Sequence, residues 1–213
     1  MTRPLPIFAL PGVVLLPGTL LPLHIFETRY RAMVADALAG DRTIGMALMK
    51  PGWESGGPNP DVFAVGGAGE IVESERLEDG RYNVVLSGAF RFRIVAETGV
   101  VPYRRARVEE IASVPFRDED RLERSRSELA GLFEEMRPVL ELPPLPEDPL
   151  SPERLASEIA LRLRYDPTEL QALLETDALP ARFDALSGRL REWRHRVRFL
   201  APYRAEAMDP GRN

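Results

Sequence analysis

The chain has 213 residues, 44% hydrophobic and 29% charged, with a formal net charge of −5 and no cysteine. These are globular proportions, enough for a chain of this size to bury about 70% of its unfolded surface. The acidic balance argues against a general nucleic-acid binder, whose non-specific affinity comes from neutralising phosphates. The lack of cysteine excludes disulfides, thiolate metal sites and cysteine nucleophiles, and fits a cytoplasmic setting.

In the opening segment, Pro6, Pro11 and Pro17 interrupt an apolar stretch that a signal peptide would need unbroken, so it is read as mature protein. No apolar run of about 18 residues follows, so no membrane span is expected. From Leu5 to about Ile111, short apolar or alternating runs are separated by glycine and proline, which is the pattern of strands. The expected strands are Ile7–Leu10, Thr43–Met49, Phe63–Leu77, Tyr82–Ser87, Phe90–Glu97 and Ala106–Ile111, and one helix over Glu27–Ala39 interrupts them, stopping at Gly40. Asp79-Gly80 predicts a type I′ hairpin turn, and Ser87-Gly88 a second very tight connection.

After Pro115 the period changes to 3.6. A helix is expected over Asp118–Met136, with Leu122, Leu129, Leu132, Phe133 and Met136 on one stripe. The proline-rich segment Leu142 to Pro149 breaks it, and Ser151-Pro152 and Asp166-Pro167 each supply a cap followed by proline at the first helical position. The last helix carries Phe183, Leu186, Leu190, Trp193, Val197 and Leu200 as a continuous seam, to be covered by the preceding helices. The expected division is a barrel over residues 1–115 and a helical bundle over residues 116–213.

Catalytic and cofactor motifs fail on inspection. Gly66-Gly67-Ala68-Gly69 lacks the third glycine of a dinucleotide fingerprint and leads into the alternating Glu70-Ile71-Val72-Glu73, a strand where phosphate binding needs a helix N-terminus. The glycines are better read as a bulge or close strand packing. Neither a phosphate-binding G-x-x-x-x-G-K-[ST] loop nor a G-x-S-x-G elbow occurs, and Lys50 is the sole lysine, with 27 of the 28 basic residues arginine. His24 and His195 have no second ligand at metal-binding spacing. Asp118-Glu119-Asp120 fits helix N-terminal charge. Arg189, Arg191, Arg194, Arg196 and Arg198 fall around the last helix and read as solubilising charge rather than an RNA-binding stripe. No catalytic residue, cofactor or metal is therefore assigned. The loop from Pro51 to Asp61 holds the one candidate binding residue, Trp53, expected either to tuck back onto the barrel, the favoured reading, or to offer a partner an aromatic anchor.

The order of residues resembles a known family. Leu5-Pro6-Ile7-Phe8-Ala9-Leu10-Pro11-Gly12 through Leu15-Leu16-Pro17-Gly18, followed by Leu21-Pro22-Leu23-His24-Ile25-Phe26-Glu27-Thr28-Arg29-Tyr30, is similar to the opening of the N-terminal domain of Lon-type ATP-dependent proteases. Phe63 to Ile71, Asp79 to Gly88 with Arg91-Phe92, and Leu170 to Glu175 with Arg182-Phe183 resemble later blocks of that family, so that the likeness spans roughly residues 4 to 200. It implies an α+β fold, a PUA-like β-barrel with one inserted helix followed by an α-helical bundle. It further implies a substrate-recognition module that engages unfolded polypeptides or a partner protein. The sequence stops before the long helix, ATPase and protease segments of full Lon, so degradation is not expected of it. Polypeptide binding is the leading expectation, at a surface of the Trp53 loop and the barrel's junction with the helices. RNA binding by the PUA-like barrel is the alternative, and an enzyme trails both.

Overall fold

The computed structural model describes residues 2–55, 57 and 59–207, with side chains as far as residue 200. Gly56 and Pro58 of the Trp53 loop, and residues 208–213 of the expected bundle, lie outside the described residues. Six strands and one helix make up the first half: β1 (Thr2–Leu10), β2 (Leu20–Ile25), α1 (Thr28–Ala39), β3 (Thr43–Leu48), β4 (Val65–Arg76), β5 (Tyr82–Gly99) and β6 (Arg105–Ile111). Four helices follow: α2 (Glu119–Met136), α3 (Pro152–Arg162), α4 (Pro167–Glu175) and α5 (Leu179–Ala207).

The sheet runs β2-β5-β4-β3-β1-β6, and β5 also pairs with β6. That extra pairing closes β5, β4, β3, β1 and β6 into a ring and leaves β2 outside it, as an edge strand held by β5 alone. The expected barrel is thus a mixed sheet, with β1 and β3 parallel, that closes through only part of its strands. The α+β class stands. β5 is able to serve both parts because it is 18 residues long: Tyr82–Ser87 lies between β2 and β4, and its later residues pair with β6.

Three expectations are corrected here. Ser87-Gly88 is no turn; β5 continues through it with a register shift at Ala89, and the glycine answers a different need. A Cβ on Gly88 would overlap the carbonyl oxygen of Leu16, and one on Gly67 would overlap that of Leu15, so both glycines let the segment before β2 cross the sheet at backbone distance. A bulge between Ala68 and Gly69 accompanies this crossing, so the glycine run of β4 is there for packing. The β4–β5 hairpin has positive φ at Gly80 but not at Asp79, with Gly80 N–H donating to Leu77 O (2.9 Å) and Leu77 N–H to Arg81 O (2.9 Å). This is a three-residue loop closed by a left-handed glycine, where the sequence suggested a two-residue type I′ turn. Finally, β2 was not expected at all.

Capping chemistry sets the helix starts. Asp118 accepts from Asp120 N–H, Ser151 from Arg154 N–H ahead of Pro152, and Asp166 forms a full capping box with Glu169. Apolar residues then fall into three groups. One lies beneath α1, where Tyr30, Met33 and Val34 meet Phe8, Ile71 and Leu86. A small one fills the strand ring, with Leu5, Ile7, Phe92 and Val108. The largest lies in the helical half but also takes Val14 and Leu16 from the segment before β2 and Leu48 and Val65 from the sheet, so apolar packing runs across the junction.

A buried polar network crosses the same junction. Arg91 of β5, 1% exposed, donates to the carbonyls of Leu174 (2.8 Å), Ala112 (3.1 Å) and Thr176 (3.4 Å) and to the Asp177 carboxylate (3.0 Å). Arg182 of α5 donates to Thr176 O (2.7 Å), to Glu153 (3.0 Å) and to Ser113 Oγ (3.2 Å), and Ser113 in turn bonds Glu153. Burial, and then the charge of Arg91, pull the Arg182 guanidinium below the usual arginine range. Backbone bonds from Val114 N–H to Asp177 O (2.9 Å) and from Leu179 N–H to Val114 O (2.9 Å) finish the seam.

Candidate functional site

Two surfaces combine exposed apolar side chains with polar groups. The first is the outer face of β2, β5 and β4. Alternation along β2 turns Leu21 and Leu23 toward the core under α1 and leaves Leu20, Pro22 and His24 exposed. Strand register sets these against Ser87, Val85 and Asn83 of β5, and those against Glu70, Glu73 and Glu75 of β4. His24 Nδ1 lies 2.8 Å from Asn83 Oδ1, Asn83 donates to Glu75 (2.9 Å), and Arg81 lies 3.2 Å from His24 Nε2. That row of side chains is committed to itself. The next rows are not: Leu20 is 64% exposed, Phe26 beyond the strand end is 63% exposed, and Val72 stands out at the β4 bulge. The same three strands carry an open concavity of about 510 Å³ lined by Pro22, His24, Glu73, Glu75, Asn83 and Val85 among others.

The free edge of β2 has a proline at its centre. Pro22 has no N–H to donate, so a strand added there would have an interrupted ladder. Recognition on this face therefore falls to side chains, apolar along β2 and acidic along β4. Sequence reasoning missed this surface, because the proline in Leu20-Leu21-Pro22-Leu23 argues against a strand; its signal was available in the rule that proline inside an alternating run marks an edge.

The second surface is at Trp53, in a short 3-10 turn over Trp53–Ser55. The base of its loop is pinned: Lys50 N–H donates to Asp61 O (2.8 Å), Phe63 N–H to Leu48 O (2.9 Å), and the buried Arg104 to Pro60 O (2.8 Å). Trp53 is tucked back only in part; it is 37% exposed. One side of it opens on a cleft of about 240 Å³ whose walls include Pro11, Phe63 and Pro167, where the sheet meets the start of α4. The other opens on a cleft of about 270 Å³ lined by Lys50, Asn59 and Asp61, and Pro51 and Trp53 belong to both. Trp53 and the sheet-helix junction are thus brought together, whereas His24 lies on the other surface and His195 is exposed on α5.

The remaining sequence candidates find structural roles. Arg189 pairs with Glu169 (3.0 Å), Arg194 and Arg198 with Glu135 (both 3.1 Å), Arg191 with Glu128 and Arg196 with Glu192, so each arginine of the α5 stripe has a carboxylate partner. Among the described residues, no group of three or more His, Asp or Glu side chains could hold a metal ion, and no helix is long and apolar enough to cross a membrane.

Comparison with known proteins agrees with the resemblance read from the sequence. The chain is 32% identical over 179 residues to a Lon protease of Dictyoglomus thermophilum and 31% identical over 183 residues to Lon protease 2 of Myxococcus xanthus, alignments covering 81% and 84% of this chain. It spans 22% of the length of each of these relatives. Among solved structures, it is similar to the Lon N-terminal domain protein from Xanthomonas campestris, with a TM-score of 0.63 and 23% identity over 86% of this chain and 96% of that one. The N-terminal domain of the Mycobacterium avium complex Lon protease gives 0.68 and 19% over 89% and 98%. The model of the ATP-dependent protease La (Lon) substrate-binding domain matches residues 4–192, and the chain belongs to that family.

Proposed function

We propose that the chain binds extended, apolar-rich stretches of other polypeptides and carries out no chemistry on them. The observation that carries this reading is the outer face of β2, β5 and β4, where Leu20 and Phe26 stand exposed beside a concavity of about 510 Å³. Scattered exposed apolar residues need no explanation, but a row along a free sheet edge, with carboxylates across from it, is the make-up of an interaction surface. Family membership supports the same reading, since the matching model is a substrate-binding domain. Contacts through side chains, without a continuous main-chain ladder, favour weak and sequence-tolerant binding, because ordering a disordered client offsets much of the gain from burial. Trp53, with the junction cleft beside it, is proposed as a further polypeptide contact. A cytoplasmic setting, consistent with the cysteine-free sequence, belongs to the same proposal.

The test is a titration of a dye-labelled, reduced and alkylated protein, followed by anisotropy, beside its folded counterpart. Saturable binding of the unfolded form alone is expected. Burying a Leu or Phe contributes roughly 1.5–3 kcal/mol each at full burial, so Leu20→Ser with Phe26→Ser should weaken binding by at least about tenfold. Equal binding of folded and unfolded forms would refute the proposal. The α5 arginines, each already paired with a carboxylate, lend no support to RNA binding through α5.

A further inference from the structure

The two clefts at Trp53 share a wall, and that geometry limits what can lie across them. On a helix, neighbouring residues are turned by about 100° from one another, so they do not fall into two clefts on opposite sides of one ridge. An extended chain fits differently. Its successive side chains point to opposite sides, so a strand passing over the Trp53 and Pro51 ridge would place one residue in the apolar cleft and its neighbour in the polar one.

Each cleft selects a residue type. The walls of the first include Pro11, Leu48, Met49, Phe63 and Pro167, and the backbone donors at the start of α4 are already used: Thr168 and Glu169 N–H both donate to Asp166 (2.8 and 2.9 Å). An anion would find no free backbone donor of α4 there, only the Thr168 hydroxyl, whereas an aliphatic side chain needs none. In the second, the side chains of Lys50, Asn59 and Asp61 have no hydrogen-bond or ion-pair partner among the described residues, nor does that of Glu54 in the adjoining turn. Within the cleft Asp61 faces the single ammonium of Lys50, and Glu54, next to Trp53 in the chain, adds a second carboxylate outside the lining, so the net charge around the ridge is negative and favours a cation. The indole N–H of Trp53 is likewise uncommitted among the described residues and is available to a passing carbonyl.

We propose that the Trp53 ridge is a subsite for an extended polypeptide carrying an apolar residue next to a basic one, with the apolar side chain against Pro11, Phe63 and Pro167 and the basic one beside Asp61. This rests on the polypeptide-binding reading above and names the sequence preference of one part of it. Arg104 acts as a positioning residue, since its bond to the Pro60 carbonyl holds the base of the loop from below.

The experiment uses the full chain with Trp193→Phe, which leaves Trp53 as the sole tryptophan. Three labelled nonapeptides in a Gly/Ser host, free of aromatic residues and with central Leu-Arg, Leu-Glu or Ser-Arg, are titrated by Trp53 emission and by peptide anisotropy. Leu-Arg is expected to bind about fivefold more tightly than Leu-Glu, the upper range for an exposed ion pair, with the difference shrinking as salt rises. Asp61→Asn should bring the two together, and Trp53→Ala should abolish the anisotropy change. Equal binding of Leu-Arg and Leu-Glu, a preference that survives Asp61→Asn, or binding of none of the peptides would overturn the proposal. The Leu20→Ser, Phe26→Ser variant separates the two readings. If it loses the unfolded protein but keeps the Leu-Arg peptide, both stand. If unfolded protein binds the parent chain but no peptide preference exists, only the subsite fails.

Discussion

Replacing Arg91 with methionine tests whether the junction network holds the sheet to the helices. The guanidinium is 1% exposed and serves four acceptors. Three of them recover when it is gone: the Asp177 side chain is half exposed and turns to water, the carbonyl of the exposed Ala112 does the same, and Thr176 O keeps the bond from Arg182 Nε (2.7 Å). The carbonyl of Leu174 loses its donor inside the junction, at about 1–3 kcal/mol. Methionine keeps the apolar stem and removes a desolvated charge whose Nε has no partner among the described residues, which offsets part of the loss. The net expectation is a destabilisation of about 2 kcal/mol, or a fall in Tm of roughly 4–8 °C for a chain of about this length. Urea denaturation and calorimetry measure it. The comparison is Arg191→Met, which removes a half-exposed pair with Glu128 and should cost no more than about 0.5 kcal/mol. A loss below about 1 kcal/mol for Arg91→Met, or equal losses for the two variants, would refute the assignment of the junction's stability to this network.

Gly67→Ala should cost more than about 2 kcal/mol by denaturation, because its Cβ would overlap the Leu15 carbonyl, whereas Gly131→Ala, in α2 with nothing within 4 Å, should stabilise by roughly 0.5–1 kcal/mol. Burial pushes the Tyr165 hydroxyl up to about 12, against the opposing pull of Arg189. A tyrosine raised in the folded state holds its proton more tightly there, so this contribution to stability is intact below the unfolded value near 10 and lost as pH rises from there toward 12. Tm measured from about pH 9 to about pH 11.5 should fall less steeply in Tyr165→Phe than in the parent; parallel curves would contradict the assignment. For the proposed division into residues 1–115 and 116–213, limited proteolysis should cut first in the loop around Ser55 to Asn59, whose described residues are exposed, or in the proline segment Leu142 to Pro149. First cuts within β5 would show that the division is wrong.

Where one local signal decides the outcome, the sequence was enough. Ser151-Pro152 and Asp166-Pro167 carry their own caps and start α3 and α4 as expected, and the α5 seam packs through Phe183, Leu186 and Leu190 before reaching solvent at Leu200. Local signals failed where a distant segment set the requirement. Gly88 looks like a turn residue, but its small size is demanded by Leu16, far away in the chain. Pro22 hid β2, because a lone strand with a central proline is credible only as an edge, and edge status depends on a sheet order that alternation does not reveal. Part of the site was legible for the same reason. A tryptophan in a proline- and glycine-rich loop marks itself, whereas the face built from Leu20, Val85 and Glu73 exists only through strand register.

Hydrogen exchange with and without a saturating unfolded, reduced and alkylated client tests the central claim most directly, since it locates contact without a substitution. Added protection is predicted in residues 20–26 and across the Trp53 loop, with the α5 arginine stripe unchanged and the client left uncleaved. Protection confined to α5, or no change anywhere at saturation, would contradict the account.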